Sequence, residues 1–298
     1  MEQVASLSSG KGHRDENFPV ASFLIRARHR PVVLAFYRFA RSADDVADHP
    51  TAEPAGKLRL LAAMRQGLLG EGSSAPESTA LRRILLERNL PEQHPLDLLE
   101  AFRRDVTKLR YTDWDDLMDY CRYSAMPVGR FVLDVHGESR STWPASDALC
   151  SALQVINHLQ DCAKDYRNLD RVYLPLDAMH RHGLEPDALA EGAASPALRK
   201  VLDELLDRVS LLLDEARPFA RQITDGRLAL EVAVIQKLAE DLTRRLRARD
   251  PLSGRVHHRG TEASAIAVGA AVSFLASRAF RKPSATESGK AHEPLHGR

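Results

Sequence analysis

The sequence has little cysteine and no excess charge of either sign. Its 298 residues include three cysteines without a Cys-x-x-Cys pair: Cys121, Cys150 and Cys162. This set predicts neither a disulfide framework nor a zinc knuckle, and it is typical of a reducing, cytoplasmic compartment. Lys and Arg number 42 against 41 Asp and Glu, which leaves a formal charge of +1. We therefore expect no nucleic-acid partner, because such proteins normally carry a clear basic excess.

Long apolar runs are also scarce. Residues 1–16 are polar and contain no apolar stretch of signal-peptide length, so secretion is not expected. The most apolar stretch, 263–280, is mostly Ala and contains three Ser and one Arg, whereas a membrane span needs about 20 predominantly apolar residues. We interpret it as a packing helix of small residues. Loose contact with a membrane surface is a second interpretation of the same stretch.

Strand-like alternation is rare, whereas helical spacing is found almost everywhere. Hydrophobic residues make up 44% of the chain, enough for a core, and they recur three and four positions apart. No segment has the length or composition of an interdomain linker. The sequence therefore predicts an all-α protein with one helical domain over 17–282, between disordered tails at 1–16 and 283–298. The expected helical segments are 32–46, 58–69, 81–86, 96–109, 114–135, 148–163, 198–213, 228–246 and 263–280.

An acidic stripe closes the first of these segments. Asp44 and Asp48 lie four residues apart in Arg-Ser-Ala-Asp-Asp-Val-Ala-Asp (41–48), so both carboxylates project from one helix face. Like charges at this spacing destabilise a helix modestly unless a positive group lies between them. By itself the pattern is equally compatible with a solvated last turn.

A second stripe changes that balance. Asn157, Asp161 and Asp165 follow at successive steps of four inside an apolar segment, and polar groups in a core helix need partners. Carboxylates on two facing helices can form a metal site in a helical bundle. Mg²⁺ favours carboxylate oxygens and shares its remaining positions with phosphates. The two stripes therefore indicate a diphosphate held through Mg²⁺ between two helices.

Basic residues flank both stripes, and the guanidinium fork of Arg suits phosphate oxygens. For each of them a solubilising surface position is an equally good interpretation. The candidates are Arg38, Arg41, Lys164, Arg167 and Arg171.

At these residues the sequence resembles the squalene/phytoene synthase family. Residues 36–48 match an aromatic-containing helix that ends in Arg-x-x-Asp-Asp-x-x-Asp. Residues 154–165 match Gln-x-x-Asn-x-x-x-Asp-x-x-x-Asp, and 171–175 match the Arg-x-Tyr-x-Pro that follows it. Residues 120–129 match a third motif, Tyr-Cys followed by small residues and Val-Gly. The motifs occur in family order over much of the chain.

The resemblance implies an isoprenoid synthase fold, a single helical bundle with a central cavity, in which two aspartate-rich motifs hold Mg²⁺ and diphosphate beside an apolar tunnel. The implied metal ligands are Asp44, Asp48, Asp161 and Asp165, which also count as catalytic together with Tyr37 and Tyr120. The implied substrate-binding residues are Arg41, Asn157, Arg171, Tyr173, Gln154 and Lys164. Candidates for the tunnel wall, each also suited to ordinary core packing, are Phe18, Phe23, Phe36, Val128 and Leu153.

Details of the motifs resemble one subgroup, found in bacterial hopanoid biosynthesis, that makes hydroxysqualene from presqualene diphosphate. The segment 16–22 looks like the opening of that subgroup. Gln160 precedes Asp161 where typical phytoene synthases have Arg, and Ala40 stands where the family commonly has Cys. The missing Arg removes one positive charge beside the diphosphate site, which favours a substrate with one diphosphate over the condensation of two farnesyl diphosphates.

The implied enzyme is a carbon–oxygen lyase that uses Mg²⁺, or Mn²⁺ in its place, and water captures the carbocation that remains. Aromatic faces of Tyr37, Tyr120, Tyr123 or Phe36 would steady that cation. NADPH is not expected, since no Gly-rich dinucleotide motif is found. The resemblance also implies functional coupling to a presqualene diphosphate synthase and a hydroxysqualene reductase.

Three alternatives stay open. Within the family, the chain could condense two prenyl diphosphates, as a prenyltransferase that makes presqualene diphosphate, squalene or phytoene. Outside it, the chain could be a non-catalytic helical subunit, although repelling carboxylates in a core count against a scaffold. The third alternative is a carboxylate-bridged diiron bundle, but it would need paired Glu-x-x-His motifs, which the expected helices lack.

Two residues that flank the second stripe, His158 and Gln160, are candidates to position water. For such a histidine a packing role is the more common one.

Overall fold

A computed structural model describes residues 25–72 and 75–279. In these ranges the elements are all helices and there is no strand, only an isolated parallel bridge between Arg110 and Val172. The all-α prediction is therefore confirmed. Two 3₁₀ turns cover Arg140–Thr142 and Pro186–Ala190. The helices are α1 (Arg30–Ala47), α2 (Pro54–Leu69), α3 (Pro76–Arg88), α4 (Gln93–Thr107), α5 (Trp114–Ser124), α6 (Met126–His136), α7 (Trp143–Leu169), α8 (Leu176–Arg181), α9 (Pro196–Ala216), α10 (Phe219–Gln222), α11 (Gly226–Ala248) and α12 (Gly260–Ala279).

The α1–α4 cluster is the smaller of two main apolar cores. Helix α1 begins with Pro31 in its first turn, where the missing N–H of proline costs nothing. Its apolar residues follow at helical spacing, so that Val32, Phe36, Phe39 and Val46 all lie buried on one face. This face packs against α2, α3 and α4.

Helix α7 forms the centre of the larger core, the α7 cluster. It spans 27 residues and contacts α5, α6, α9 and α11. Its buried face is largely Ala, Leu, Val and Ile, and it also contains the polar residues Ser146, Ser151, His158 and Gln160. The stacked rings of Phe36 and Phe131, with centroids 3.9 Å apart, lie where α1 meets α6.

One predicted element was wrong. The segment 114–135 forms two helices, α5 and α6, that meet at Ala125. Pro127 has no N–H to donate to the preceding turn, so a continuous helix would lose a hydrogen bond and clash there. Instead Ala125 closes α5 by donating to the Cys121 carbonyl at 3.0 Å. The short helices α8 and α10 were not predicted, because four to six residues give too little periodicity to detect.

Helix α12 packs on α11 through small and aliphatic residues, as expected. Val268, Val272 and Leu275 lie on its other side, each more than half exposed. None of the helices in the described part of the chain is long and apolar enough to cross a membrane. The predicted tails, the segment 16–22 and the wall candidates Phe18 and Phe23 lie outside the described residues.

Candidate active site

The first acidic stripe lies at the C-terminal end of α1. Asp44 is in the last turn, and Asp48 caps the helix by donating its backbone N–H to the Asp44 carbonyl at 2.8 Å. Burial raises the pKa of Asp44 to about 7, with repulsion from Asp48 as the next cause. The guanidinium of Arg41 lies 3.0 Å from Asp44 Oδ2 and 2.7 Å from Asp45 Oδ1. The negative charge of the stripe is thus only partly desolvated and only partly neutralised.

The second stripe lies on the C-terminal half of α7. Asp161 and Asp165 are both half-buried, and burial raises the pKa of Asp165 to about 7. The next cause of that shift is repulsion from Asp161, and Asp48 of α1 adds to it. Because Asp48 acts across the gap between the helices, the two stripes lie close enough to repel each other. Lys164 is exposed, with its ammonium 3.7 Å from Asp161 Oδ2.

Arg171 joins the two stripes. It follows α7, which ends at Asp170 in the left-handed conformation (φ 52°). The buried guanidinium donates to Asp48 Oδ1 at 2.5 Å, to the Ala47 carbonyl at 3.2 Å and to the Asp105 carbonyl at 3.0 Å. The nearby acidic groups raise the pKa of Arg171 although burial opposes this, so the side chain stays cationic.

Asp105 is the buried anchor of the tyrosines. Its carboxylate accepts the hydroxyl of Tyr173 at 2.9 Å and that of Tyr120 at 3.0 Å. Burial raises the pKa of Asp105 to about 6, while Arg171 and the two hydroxyls hold it down. The rings of Tyr120 and Tyr173 lie 5.4 Å apart between centroids, with Tyr111 against both. Their orientation is therefore fixed by hydrogen bonds and ring packing together.

His158 belongs to this aromatic group. Its ring stacks on Tyr173 with centroids 3.6 Å apart, and the amide nitrogen of Gln154 lies 3.1 Å from its Nε2. Burial, with Arg171 as the second cause, lowers the pKa of His158 to about 3, so the ring is neutral. Gln160 donates instead to the carbonyl of Val256. Both residues flank the acidic stripe in sequence but point to packing partners.

An apolar cavity of about 470 Å³ lies between α1, α6, α7 and α11 and reaches the first acidic stripe at Asp44. Along α1 its wall runs from Val33 to Asp44, about 16 Å at 1.5 Å per residue. The charged residues on the described wall are Arg41, Asp44 and Glu231. The remaining described wall residues are mostly apolar: Ile25, Val33, Phe36, Tyr37, Ala40, Phe102, Val128, Gly129, Val132, Leu133, Ser146, Leu149, Cys150, Leu153, Phe219, Leu228, Val232 and Ile235.

Other sequence candidates lie in different surroundings. Asn157 is half-buried on α7 between Gln154 and Asp161. Arg38 is exposed on α1, and Arg167 donates to the backbone carbonyls at 190 and 191, at 2.9 and 2.8 Å. Tyr123 packs its ring under the guanidinium of Arg104, 4.2 Å from the centroid, rather than on the described cavity wall.

Sequence reasoning missed two buried carboxylates. Asp105 follows Leu98 and Ala101 on the buried face of α4, and Glu231 follows Leu228 on the buried face of α11. An acidic residue on an apolar helix face is a detectable signal, because an unpaired charge is costly to bury. Neither residue has an acidic neighbour at helical spacing, however, so neither belongs to an acidic stripe.

The donor set suits a hard divalent cation. Asp44, Asp48, Asp161 and Asp165 supply carboxylate oxygens from two helices, and two of these groups have pKa values raised to about 7 by burial and mutual repulsion. A divalent cation would remove that repulsion, and carboxylate oxygens are the ligands that Mg²⁺ prefers. The side chains of Asp44, Asp48 and Asp161 are each more than 30% exposed, which leaves room for water and phosphate oxygens.

Comparison with known sequences gives close relatives over nearly the whole chain. The profile of the family described as squalene/phytoene synthase matches residues 12–262. A hydroxysqualene synthase of Rhodopseudomonas palustris is 55% identical over 282 residues, which cover 95% of this chain and 97% of the relative. A hydroxysqualene synthase of Zymomonas mobilis is 54% identical over 274 residues, 91% of this chain and 92% of the relative.

Solved structures show the same architecture. The squalene synthase HpnC from Alicyclobacillus acidocaldarius is 33% identical, has a TM-score of 0.69, and is matched over 82% of this chain and 92% of its own. A dehydrosqualene synthase in complex with a ligand is 22% identical and has a TM-score of 0.76, with 92% of this chain and 96% of the other covered. At that identity the second match speaks for the fold alone.

Proposed function

The chain belongs to the squalene/phytoene synthase family, and from this premise we propose that it converts presqualene diphosphate and water to hydroxysqualene and diphosphate. Three relatives at 50–55% identity are named hydroxysqualene synthase. The observation that carries the proposal is the position of Arg41 and Asp44. Both lie on the wall of an apolar cavity and also belong to the acidic stripe of α1. A long hydrocarbon with one diphosphate has this distribution of polarity.

The proposed reaction is that of a carbon–oxygen lyase. The bond from the cyclopropylcarbinyl carbon to the diphosphate oxygen breaks, and diphosphate leaves with the electron pair. The cyclopropane ring opens as the cation rearranges. The oxygen of a water molecule then bonds to the resulting cation and loses one proton, which gives the alcohol. Carbon, oxygen and charge balance without an oxidant or reductant.

Four carboxylates and the neighbouring basic groups would handle the leaving diphosphate. Asp44, Asp48, Asp161 and Asp165 would hold Mg²⁺, or Mn²⁺ in its place. Held by these carboxylates, a divalent cation would supply neutralisation of charge on the leaving group, which is usually a large part of the catalysis of such steps. Arg41, Arg171 and Lys164 would bind the remaining phosphate oxygens. Arg171 is in place before substrate arrives, because Asp48 and two backbone carbonyls accept its hydrogen bonds.

The cavity wall would control the carbocation. Apolar side chains exclude bulk water, and the rings of Tyr37 and Phe36 lie on the described wall, where an aromatic face can stabilise a cation. Tyr120, Tyr173, Gln154 and Asn157 are not on the described wall. They would contribute beside it, near the acidic stripes, where Asp105 accepts the hydroxyls of both tyrosines. Glu231 is 4% exposed and lies on this wall. We assign it the capture step, in which a carboxylate orients water and accepts its proton.

The proposal includes the cofactor, the partners and the location. Capture by water needs no hydride, so NADPH is not a cofactor of the proposed reaction. A presqualene diphosphate synthase would supply the substrate, and a hydroxysqualene reductase would consume the product. We propose a cytoplasmic enzyme in loose contact with a membrane, which is supported by the exposed aliphatic residues of α12 and by the apolar substrate and product. Co-flotation of the protein with phospholipid vesicles, weakened when Val268 and Val272 are both changed to Ser, tests this contact.

A single assay tests the reaction. Purified protein is incubated with presqualene diphosphate and Mg²⁺ in ¹⁸O-labelled water, with and without NADPH, and the products are identified by mass spectrometry. The expected product is hydroxysqualene with the label in its hydroxyl group, in equal yield in both samples. Unlabelled squalene that forms only with NADPH would contradict the proposal. Consumption of farnesyl diphosphate supplied alone would favour the alternative, a prenyltransferase that condenses two prenyl diphosphates.

A further inference from the structure

A second group of metal-ligating residues lies at the opposite end of α1 from the aspartates. His29 precedes α1, His136 ends α6, and Asp225 precedes α11. One potential ligand atom from each of the three lies within 4.8 Å of the other two. His29 is 15 residues before Asp44, about 22 Å along the helix at 1.5 Å per residue. The group is therefore separate from the proposed diphosphate site.

Two ring nitrogens in this group are buried and have no hydrogen-bond partner among residues 25–72 and 75–279. These are Nδ1 of His29, a residue only 7% exposed, and Nε2 of His136. The two rings lie against each other with centroids 4.4 Å apart. Burial and the neighbouring His136 lower the pKa of His29 to about 4, so its imidazole is neutral at physiological pH. A buried polar atom without a partner is costly, and a neutral imidazole nitrogen is the form that binds metal.

Surrounding contacts orient the other two ligands. Nδ1 of His136 lies 2.8 Å from the Val132 carbonyl, so it carries the proton and leaves the lone pair on Nε2. Metal-bound histidines usually have such a partner on the second nitrogen. The buried carboxylate of Glu138 accepts the backbone N–H groups of Thr224 and Asp225 at 2.8 and 2.7 Å, which fixes the loop before α11.

We propose that His29, His136 and Asp225 form a structural site for a divalent transition-metal cation, with Zn²⁺ as the best match. Two imidazole nitrogens and a carboxylate oxygen form a ligand set of borderline softness, which suits Zn²⁺ better than Mg²⁺. Ligand atoms on one tetrahedral Zn²⁺ lie about 3.3 Å apart, so small side-chain rotations complete the site. Water would be the fourth ligand.

Two existing contacts change when the metal binds. Arg28 donates to Nε2 of His29 at 3.0 Å, and Arg26 lies 2.9 Å from Asp225 Oδ2. Metal at Nδ1 places the His29 proton on Nε2, so Arg28 turns to solvent, where it is already exposed. Asp225 keeps its helix cap, since Oδ1 accepts the Arg227 N–H at 2.9 Å and a carboxylate has lone pairs to spare.

The site would fix the far end of the cavity. Each ligand is three or four residues from a wall residue on the same helix or at its start: His29 from Val33, His136 from Val132, and Asp225 from Leu228. A metal bound here would tie α1, α6 and α11 together at the end of the cavity away from the aspartates. The inference rests on this geometry and does not depend on the proposed reaction.

Binding of Co²⁺, a spectroscopic substitute for Zn²⁺, tests the site. Full-length protein is freed of metal with a chelator and titrated with Co²⁺ in excess Mg²⁺, which competes with Co²⁺ for sites made of carboxylates alone. The expected result is one equivalent with the visible absorption of tetrahedral Co²⁺, displaced by Zn²⁺, and a melting temperature that rises with Zn²⁺ concentration. His136→Asn keeps a donor to the Val132 carbonyl, and Asp225→Asn keeps the helix cap. We expect each to weaken binding at least about tenfold.

The control is His182→Asn. His182 also lies beside a carboxylate, with Nε2 2.7 Å from Glu204 Oε1, but it belongs to no group of three potential ligands in the described part of the chain. It should bind Co²⁺ as the unchanged protein does. Circular dichroism checks that all variants are folded. Absence of the tetrahedral absorption in folded protein, or equal affinity in the unchanged protein and both site variants, would overturn the proposal.

Discussion

The four aspartates carry the most residue-specific prediction. Asp44→Asn and Asp161→Asn each remove one charge from a proposed Mg²⁺ ligand while preserving its size. We expect turnover of presqualene diphosphate to fall at least about 100-fold, the scale for losing one group that stabilises developing charge. The helical circular dichroism should not change. Asp187→Asn, an exposed substitution near α8, serves as the control, and full activity in both site variants would rule out the metal assignment.

The raised pKa of Asp165 predicts a stability effect with a defined sign. Its pKa is about 7 in the folded chain against a usual value near 3.8. Above about pH 4 the side chain is ionised in the unfolded chain, and its raised pKa then destabilises the folded state. Asp165→Asn should therefore stabilise the metal-free chain at pH 8. The half-buried position leaves part of the effect screened by solvent, so we expect about 1 to 2 kcal/mol.

Urea unfolding in a chelator at several pH values measures this gain. It should shrink as the pH falls below 7 and vanish below about pH 3, where Asp165 is protonated in the folded and the unfolded chain. Saturating Mg²⁺ should reverse the order at pH 8, because the cation stabilises the unchanged folded chain. A gain that does not depend on pH, or one that Asp187→Asn reproduces, would show that the charge of Asp165 is not its source.

Glu231 makes a prediction about the product. Glu231 is the residue assigned to water capture. Glu231→Gln removes the proton acceptor but keeps the shape of the side chain. Formation of hydroxysqualene should fall about 100-fold, within the usual range for loss of a general base. Hydrocarbons formed by proton loss from the cation should rise as a fraction of the products. Ser146→Ala, on the same wall, should leave the product ratio unchanged, and a matching ratio in Glu231→Gln would exclude the assigned role.

At the scale of elements, the packing of α6 on α7 depends on one glycine. A Cβ at Gly129 would lie 2.4 Å from Ser146 Oγ and 2.6 Å from Cys150 Sγ, both short side chains on the facing helix. Gly129→Ala should therefore push the helices apart and cost about 1 to 3 kcal/mol. Urea unfolding measures the loss. Gly269→Ala in α12 meets nothing within 4 Å and should stabilise by about 0.5 to 1 kcal/mol. Equal effects at both glycines would contradict close packing at Gly129.

Helices and acidic stripes could be predicted from sequence because both are local patterns. The spacing that buries one face of α1 also places Asp44 and Asp48 on the same side. The positions of Arg171 and Asp105 could not be predicted, because they depend on pairings between residues 66 and more positions apart. Pro127 is a sequence signal for the break between α5 and α6 at Ala125. The apolar spacing continues on both sides of it, however, and for that reason one helix was predicted.

At the scale of the whole molecule, both acidic stripes lie toward the C-terminal ends of their helices. On α1 the cavity wall begins at Val33 and ends at Asp44, and on α7 it runs from Ser146 to Leu153, ahead of Asp161. On both helices the carboxylates therefore lie at or beyond the C-terminal end of the stretch that lines the cavity, toward the same end of the cavity. The TM-score of 0.76 with a dehydrosqualene synthase confirms the isoprenoid synthase fold. The boundaries of the single domain at 17 and 282 lie outside the described residues and stay predictions.

Arg171 connects the two main cores. Its guanidinium reaches Ala47 and Asp48 at the end of α1 and the carbonyl of Asp105 on α4, while its backbone continues from α7. The guanidinium is buried, whereas the Asp48 side chain is 39% exposed, so water screens part of the charge that is left uncompensated when Arg171 is removed. Arg171→Met should therefore lower the free energy of unfolding by about 1 to 3 kcal/mol, less than the loss of a fully buried pair. Arg167→Met, which loses contacts to two exposed carbonyl groups, should change it by less than about 1 kcal/mol.

A double variant separates loss of the ion pair from loss of packing. In Arg171→Met with Asp48→Asn, the carboxylate that Arg171 compensates is also gone. If charge pairing between the cores is the main contribution, the double variant should be more stable than the sum of the two single losses predicts, by about 0.5 to 3 kcal/mol. Urea unfolding at pH 8 in a chelator gives all four free energies. Strict additivity would mean that Asp48 contributes nothing. Arg171 would then join the cores through its packing and through the hydrogen bonds that its guanidinium donates to the Ala47 and Asp105 carbonyls.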